Sequence, residues 1–266
     1  MNDKSLLASV LAPGGITVNV QPIFDVGEGR QTVVAAECLS RGPRGTNLEP
    51  ANVLFEYVRR KKEETAVDRA CVMAGLMACR KLPANLMIDL NVHASTLGRD
   101  LSFVDFLLQA AEACAIAPSR IVVEIVEHSP YWDGPNFFSV IQALRQAGIS
   151  IALDDVGIGY SNYKMMIDAH PNFLKVDRYL VQNCDKDEYR RIVLRSISDL
   201  ANQLGAKVVA EGVERSEELE TLLALGIRLI QGYLLSPNRS NDDLMASGLL
   251  QSRPHPWRPA FAFAAG

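Results

Sequence analysis

The chain has 266 residues, 48% of them apolar and 22% charged, with a formal charge of −4. That length suits one large barrel or two small domains, and the mild acidity argues against a polymeric nucleic acid, which calls for a basic face. No apolar run is long enough to span a bilayer, so membrane insertion is not expected.

Residues 1–15 read as a lead-in, because their short apolar stretch closes on Pro-Gly-Gly and makes no convincing signal peptide. Apolar, β-branched runs then recur at 16–24, 31–39, 85–91, 120–127, 150–155, 172–177, 206–211 and 227–232. Helical periodicity falls between them, at 50–60, 65–80, 101–115, 135–147, 188–204 and 215–225. Strands alternating with helices predict an α/β protein with a parallel sheet, and eight strands in this length predict a closed, TIM-like (β/α)8 barrel. The first connection breaks the pattern. "DVGEGR" (25–30) is long enough for a hairpin and too short for a crossover helix, so one of the first two strands runs against the rest. The barrel is assigned to 16–240, and 241–266 to a C-terminal helix and a Pro/Ala-rich tail.

The strand ends carry the chemistry. Glu37, Asn91, Glu124, Asp154 with Asp155, Lys175, Glu211 and Gln231 each lie at or beside the C-terminal end of an apolar run. In a parallel barrel those ends converge on the face where catalytic groups gather. One polar residue there simply marks a strand emerging into solvent; six of these seven endings offer ligand oxygens, mostly from carboxylates, and together they point to a site. Carboxylates with an amide oxygen are hard ligands, suited to Mg²⁺ or Mn²⁺. Two such ions balance the charge and explain the crowding in "LDDVGIGYS" (153–161): Asp154 bridges and Asp155 holds the second ion, with Gly157 and Gly159 letting the loop fold over them. Strand parity assigns Glu124 to the metal and leaves Glu127, three residues on, to brace a neighbouring loop. Lys175 and Asp177 share a face.

With these residues assembled, the chain resembles the EAL-domain family of phosphodiesterases that cleave cyclic di-GMP. The motifs are "ECLSR" (37–41), "NVH" (91–93), "EIVE" (124–127), "DDVGIGYS" (154–161), "KVD" (175–177), "EGVE" (211–214) and "QGY" (231–233), in order over residues 21–237. The resemblance implies a barrel whose first strand is antiparallel to the rest, since Glu37 belongs at the catalytic end. It also implies roles. Glu37, Asn91, Glu124 and Asp154 hold one divalent cation; Asp154, Asp155 and Glu211 hold the other. Lys175 orients the nucleophilic water, with Glu37, Asp154 and Asp155 completing the catalytic set. Gln231, Glu127, Asp177 and Glu214 support it. Arg41 contacts a substrate phosphate, and Gln21 lies near the nucleotide. The expected product is linear pGpG, and the implied assembly is a homodimer through the loop after Asp155, with any sensor or regulatory partner unnamed. The alternative is a catalytically weak or inactive cyclic di-GMP receptor acting through a protein partner.

The departures fall beside the ligands rather than on them: Cys38 for alanine, His93 for serine, Val126 for threonine, Val156 for phenylalanine and a shortened segment after Arg41. Restoring phenylalanine at 156 is expected to raise activity or tighten the dimer. The other polar candidates have plainer readings. The five cysteines form no CxxC pair and suggest reduced thiols in a cytoplasmic protein. Parity turns Cys38 away from the site and into packing. The four histidines (93, 128, 170 and 255) read as structural or surface groups, and "RRKKEE" (59–64) as solvated surface.

Overall fold

The computed structural model describes residues 3–27, 30–126, 134–158 and 163–251. Among these, strands β1 (Thr17–Gly27), β2 (Arg30–Arg41), β3 (Met87–His93), β4 (Ile121–Val126), β5 (Ser150–Val156), β6 (Phe173–Val176), β7 (Lys207–Ala210) and β8 (Leu229–Ile230) close a barrel in chain order. β1 pairs antiparallel with both β2 and β8, and every other pairing is parallel. The first strand is therefore the reversed one.

Helices α1 (Asp3–Leu11), α2 (Ala51–Lys61), α3 (Glu64–Cys79), α4 (Ala94–Arg99), α5 (Phe103–Ala113), α6 (Gly134–Gln146), α7 (Tyr163–Ala169), α8 (Arg178–Val181), α9 (Glu188–Leu204), α10 (Ser216–Ala224) and α11 (Asn241–Ala246) complete the described chain. α9 shows how locally the helices are specified. Asp187 caps it by accepting from the amides of Tyr189 and Arg190. Leu194, Ser198 and Ala201 form its buried stripe, and Gly205 ends it with φ +69°. The charge run at 59–64 has the same logic: Arg59, Arg60 and Lys61 occupy the last turn of α2, where cations suit the helix dipole. None of the helices among the described residues is long and apolar enough to cross a membrane.

Parity divides the core in two. Outward-facing strand residues such as Leu90, Ile121, Val123, Ile125 and Leu174 pack under the helices in the main core. Inside the barrel, Ile23, Ala35, Met87, Val122, Ala152, Phe173, Val209 and Leu229 form a separate apolar plug, one residue from each strand. Since side chains alternate along a strand, the next inward position on each lies two residues nearer the catalytic mouth. Those positions hold Gln21, Glu37, Asp89, Glu124, Asp154, Lys175, Glu211 and Gln231. All eight are polar. The plug is a greasy floor, and the site stands on it.

Candidate active site

Lys175 sits at the centre of this polar layer. Its side chain is 1% exposed, and its ammonium lies 2.6 Å from Glu124, 2.8 Å from Glu211, 3.1 Å from Glu37 and 3.9 Å from Asp89. Burial alone would drain the proton from such a lysine, but Glu124, Glu211, Glu37 and Asp89 hold it well above the ordinary range. Glu37 is braced from both sides: Gln231 Nε2 donates to Oε2 at 2.6 Å and Asn91 Nδ2 to Oε1 at 3.1 Å. Burial pushes its carboxyl up, yet Lys175 and the two amide donors more than offset this and keep it below the usual value.

The other carboxylates are short of positive charge. Burial, then Asp89, pushes Glu124 well above the carboxylate range, and burial likewise raises Asp154. Burial raises Glu211 to about 8 against the pull of Lys175, with Asp154 adding to the rise. Burial, Asp154 and Asp177 raise Asp155 to about 6. Glu124, Asp154 and Glu211 each place one carboxylate oxygen within 4.8 Å of the others, and Glu124 Oε1 is buried without a hydrogen-bond partner. Oxygen donors in excess negative charge, one of them orphaned, fit a hard divalent cation. Asn91 fits the same set, because an amide whose NH₂ is directed at Glu37 offers its oxygen.

The end of β5 sets how the two adjacent aspartates are placed. The pairing with β6 becomes irregular between Leu153 and Val156, and Asp155 takes a left-handed conformation, φ +53°. Strict alternation would send Asp155 outward; the break leaves it half-buried within reach of the charges of Asp154, Asp177 and Lys175, its amide donating to Asp154 Oδ1 at 2.8 Å. It lines neither lobe of the cleft, however, and stands outside the group of Glu124, Asp154 and Glu211. Gly157 follows at φ +98°, a backbone conformation that strains any residue with a Cβ and suits glycine. Val156 is 2% exposed within the main core. Its burial changes the expectation for phenylalanine at 156: the larger ring has to displace packed neighbours. Val156→Phe is expected to lower stability by about 1–3 kcal/mol, the usual range for overpacking, in a denaturant melt; an unchanged midpoint would show that the core yields there.

Around this centre the cleft has two lobes that meet at Glu37, Leu39 and Asp154. One, of about 290 Å³, is lined by Gln21, Asp177, Arg178, Glu211, Glu214 and Gln231; the other, of about 230 Å³, by Arg41, Phe55, Asn91 and His93. Gln21 and Arg41 thus flank the acidic centre on opposite sides. Asp177 caps α8 through the Tyr179 amide at 2.7 Å, and Glu214 is exposed at the rim. Glu127 and Gly159 lie outside the described residues. Cys38 packs in the core, its sulfur 3.4 Å from that of Cys79. His93 is buried with a structural partner: Asp68 accepts from its amide at 3.0 Å, its Nδ1 at 2.8 Å and Thr96 Oγ1 at 2.5 Å. The sequence reading missed Asp68, and it missed Asp89. Parity was the available signal for the latter, since Asp89 lies two residues before Asn91 on the same face.

Residues 5–238 match the EAL domain. The chain is 32% identical to the cyclic di-GMP phosphodiesterase PdeL of Escherichia coli strain K12 over 156 residues, 59% of this chain and 43% of that protein. It is 31% identical to the blue light- and temperature-regulated antirepressor BluF of the same organism over 245 residues, 90% of this chain and 59% of BluF. Among solved structures it is similar to BlrP1 of Klebsiella pneumoniae in a calcium and cyclic di-GMP complex, with TM-score 0.75 and 28% identity over 85% of this chain and 56% of that one. A manganese complex of BlrP1 gives TM-score 0.76 at 27% identity, over 86% of this chain and 57% of that one. The chain therefore spans about half the length of these proteins. Barrel, polar layer and sequence agree: the chain belongs to the EAL domain family.

Proposed function

We propose that this chain is a phosphodiesterase that opens cyclic di-GMP to linear pGpG with two divalent cations, Mg²⁺ or Mn²⁺. The observation that carries the reading is the gathering of Glu37, Glu124 and Glu211 around Lys175, with one carboxylate oxygen each from Glu124, Asp154 and Glu211 within 4.8 Å of one another. The residues assigned to the first cation are Glu37, Asn91, Glu124 and Asp154, and to the second Asp154, Asp155 and Glu211. Bound there, the cations supply an activated water and neutralise charge at the leaving oxygen. The chain's own groups do the rest. Lys175 donates to the incoming water and fixes its approach. Gln231 and Asn91 keep Glu37 ionised and aimed. Arg41 grips a substrate phosphate from one lobe, and Gln21 faces the nucleotide from the other. Asp177, Glu214 and Glu127 support the surrounding loops.

The barrel is read as the domain at 16–240, acting in the cytoplasm as a homodimer through the loop after Asp155. Tyr163 and Ile167 of α7, which follows that loop, are 66% and 70% exposed. A second reading, a receptor that binds cyclic di-GMP without cleaving it, is favoured by the likeness to an antirepressor over 90% of the chain. One assay separates the two. Purified protein with cyclic di-GMP and Mn²⁺ is expected to release pGpG, and a chelator to stop it. Intact dinucleotide that nevertheless binds would establish the receptor; no binding at all would exclude both.

A further inference from the structure

Four carboxylates surround Lys175, and three of them, Glu37, Glu124 and Glu211, are assigned to cations. A divalent ion holds a carboxylate oxygen at about 2.0–2.6 Å and carries twice the charge of an ammonium, so cation binding draws those three away from Lys175. The fourth, Asp89, is different. It is 2% exposed and, with Lys175 but without the three glutamates, lines the small apolar cavity among the plug residues, so it belongs to the ring's floor rather than its mouth. Its Oδ2 is 3.9 Å from the ammonium, its side chain lies within hydrogen-bond reach of the Glu124 carboxylate, and its Oδ1 is buried with no donor among the described residues. A buried carboxylate with an unused oxygen carries a large cost unless a cation serves it. Lys175 is the cation the fold supplies.

We infer that Asp89 is the positioning residue for Lys175: when divalent cations take Glu37, Glu124 and Glu211, the lysine settles onto Asp89, which fixes its ammonium beneath the reacting water. This rests on the metal-dependent reading above. It also gives Lys175 two stations. Without metal it bridges the ring and stands in for the absent charge; with metal it is tethered from below. The aspartate pays for its burial only in the second station, where it is the lysine's principal partner.

The test uses the full chain with ¹⁵N-labelled lysine. A buried, ion-paired ammonium exchanges slowly and gives its own NMR signal, assigned to Lys175 by its loss in Lys175→Arg. In wild type the signal is expected both without metal and in saturating Mg²⁺. In Asp89→Asn it is expected without metal, where the glutamates hold the lysine, and lost in Mg²⁺. Asp89→Glu, which keeps the charge, is expected to retain it in both states. Calorimetric Mg²⁺ affinity in Asp89→Asn is expected to stay within about threefold of wild type, while kcat falls by about 10–100-fold, the range for a group that orients an essential residue, and KM holds. A signal that survives Mg²⁺ in Asp89→Asn would overturn the inference. So would a loss of Mg²⁺ affinity beyond about tenfold, because Asp89 would then be a ligand. If wild type binds Mg²⁺ but cleaves nothing, the hydrolase reading fails while the NMR comparison still decides the role of Asp89. If wild type binds no Mg²⁺, the metal reading fails and this inference falls with it.

Discussion

Replacing Glu37 with alanine is expected to abolish cyclic di-GMP hydrolysis while leaving the barrel folded. Glu37 is where the amide donors of Gln231 and Asn91 and the ammonium of Lys175 converge, and its side chain is an assigned cation ligand. Without it one cation loses its best-fixed ligand, and turnover should fall on the order of 10³-fold, comparable to removing a preorganised charge-stabilising group. The fold should tolerate the change. Lys175 keeps Glu124 and Glu211 as partners, and the excess negative charge of the ring falls by one. Initial rates in Mn²⁺, read beside a melting curve, check both halves. Undiminished turnover would take Glu37 out of the metal centre; a collapsed melting curve would make it a structural residue first.

The second large effect concerns the protein without metal. Carboxylates titrate near 4 in an unfolded chain, whereas Asp89 and Asp155 are raised to about 6 and Glu211 to about 8, chiefly by burial. Between those values the folded protein binds more protons than the unfolded one. Raising the pH removes that advantage, so stability must fall as pH climbs from about 5 to 8. Lys175, shifted upward, keeps its proton throughout this window and contributes no slope there. Divalent cations replace the protons, so saturating Mg²⁺ should flatten the profile and bind more tightly at higher pH. Lys175→Met sharpens the contrast. It leaves the carboxylates with no internal cation and should cost about 3–5 kcal/mol in chelator, the range for breaking a buried ion pair, with much of that returned by Mg²⁺. Calorimetric melting at pH 5 and pH 8, with and without chelator, tests this. A flat profile in chelator, or a Lys175→Met protein as stable as wild type, would mean that the ring is far better solvated than its burial indicates.

Most of the barrel was legible because each strand declares itself by a run of apolar, β-branched residues and each long helix by its period. α4, α7 and α8 were not, since helices of six, seven and four residues are too short to show a period. Reversal of β1 followed only as one of two choices from the six-residue link; the motif order chose between them. At the site, the strand-end rule found the residues at the rim and overlooked Asp89, which stands one inward step below Asn91 in "NLMIDLN". The burial of Val156 was hidden for the opposite reason. In a glycine-containing loop motif it reads as loop, yet it is the last paired residue of β5, opposite Val176. The left-handed turn at Asp155, which sets the two aspartates together, has no signature in a residue type that also favours ordinary turns.

The apolar floor has a consequence for traffic. Among the described residues the barrel is stoppered from below by one hydrophobic side chain per strand, so the centre opens upward, between the lobes. On the proposed reading, dinucleotide and cations would share the opening between the lobes, and cations seated beneath a bound nucleotide would be screened from exchange while it stays. Metal loaded ahead of nucleotide is then the expected order, and the linear product the expected competitor for the next cycle.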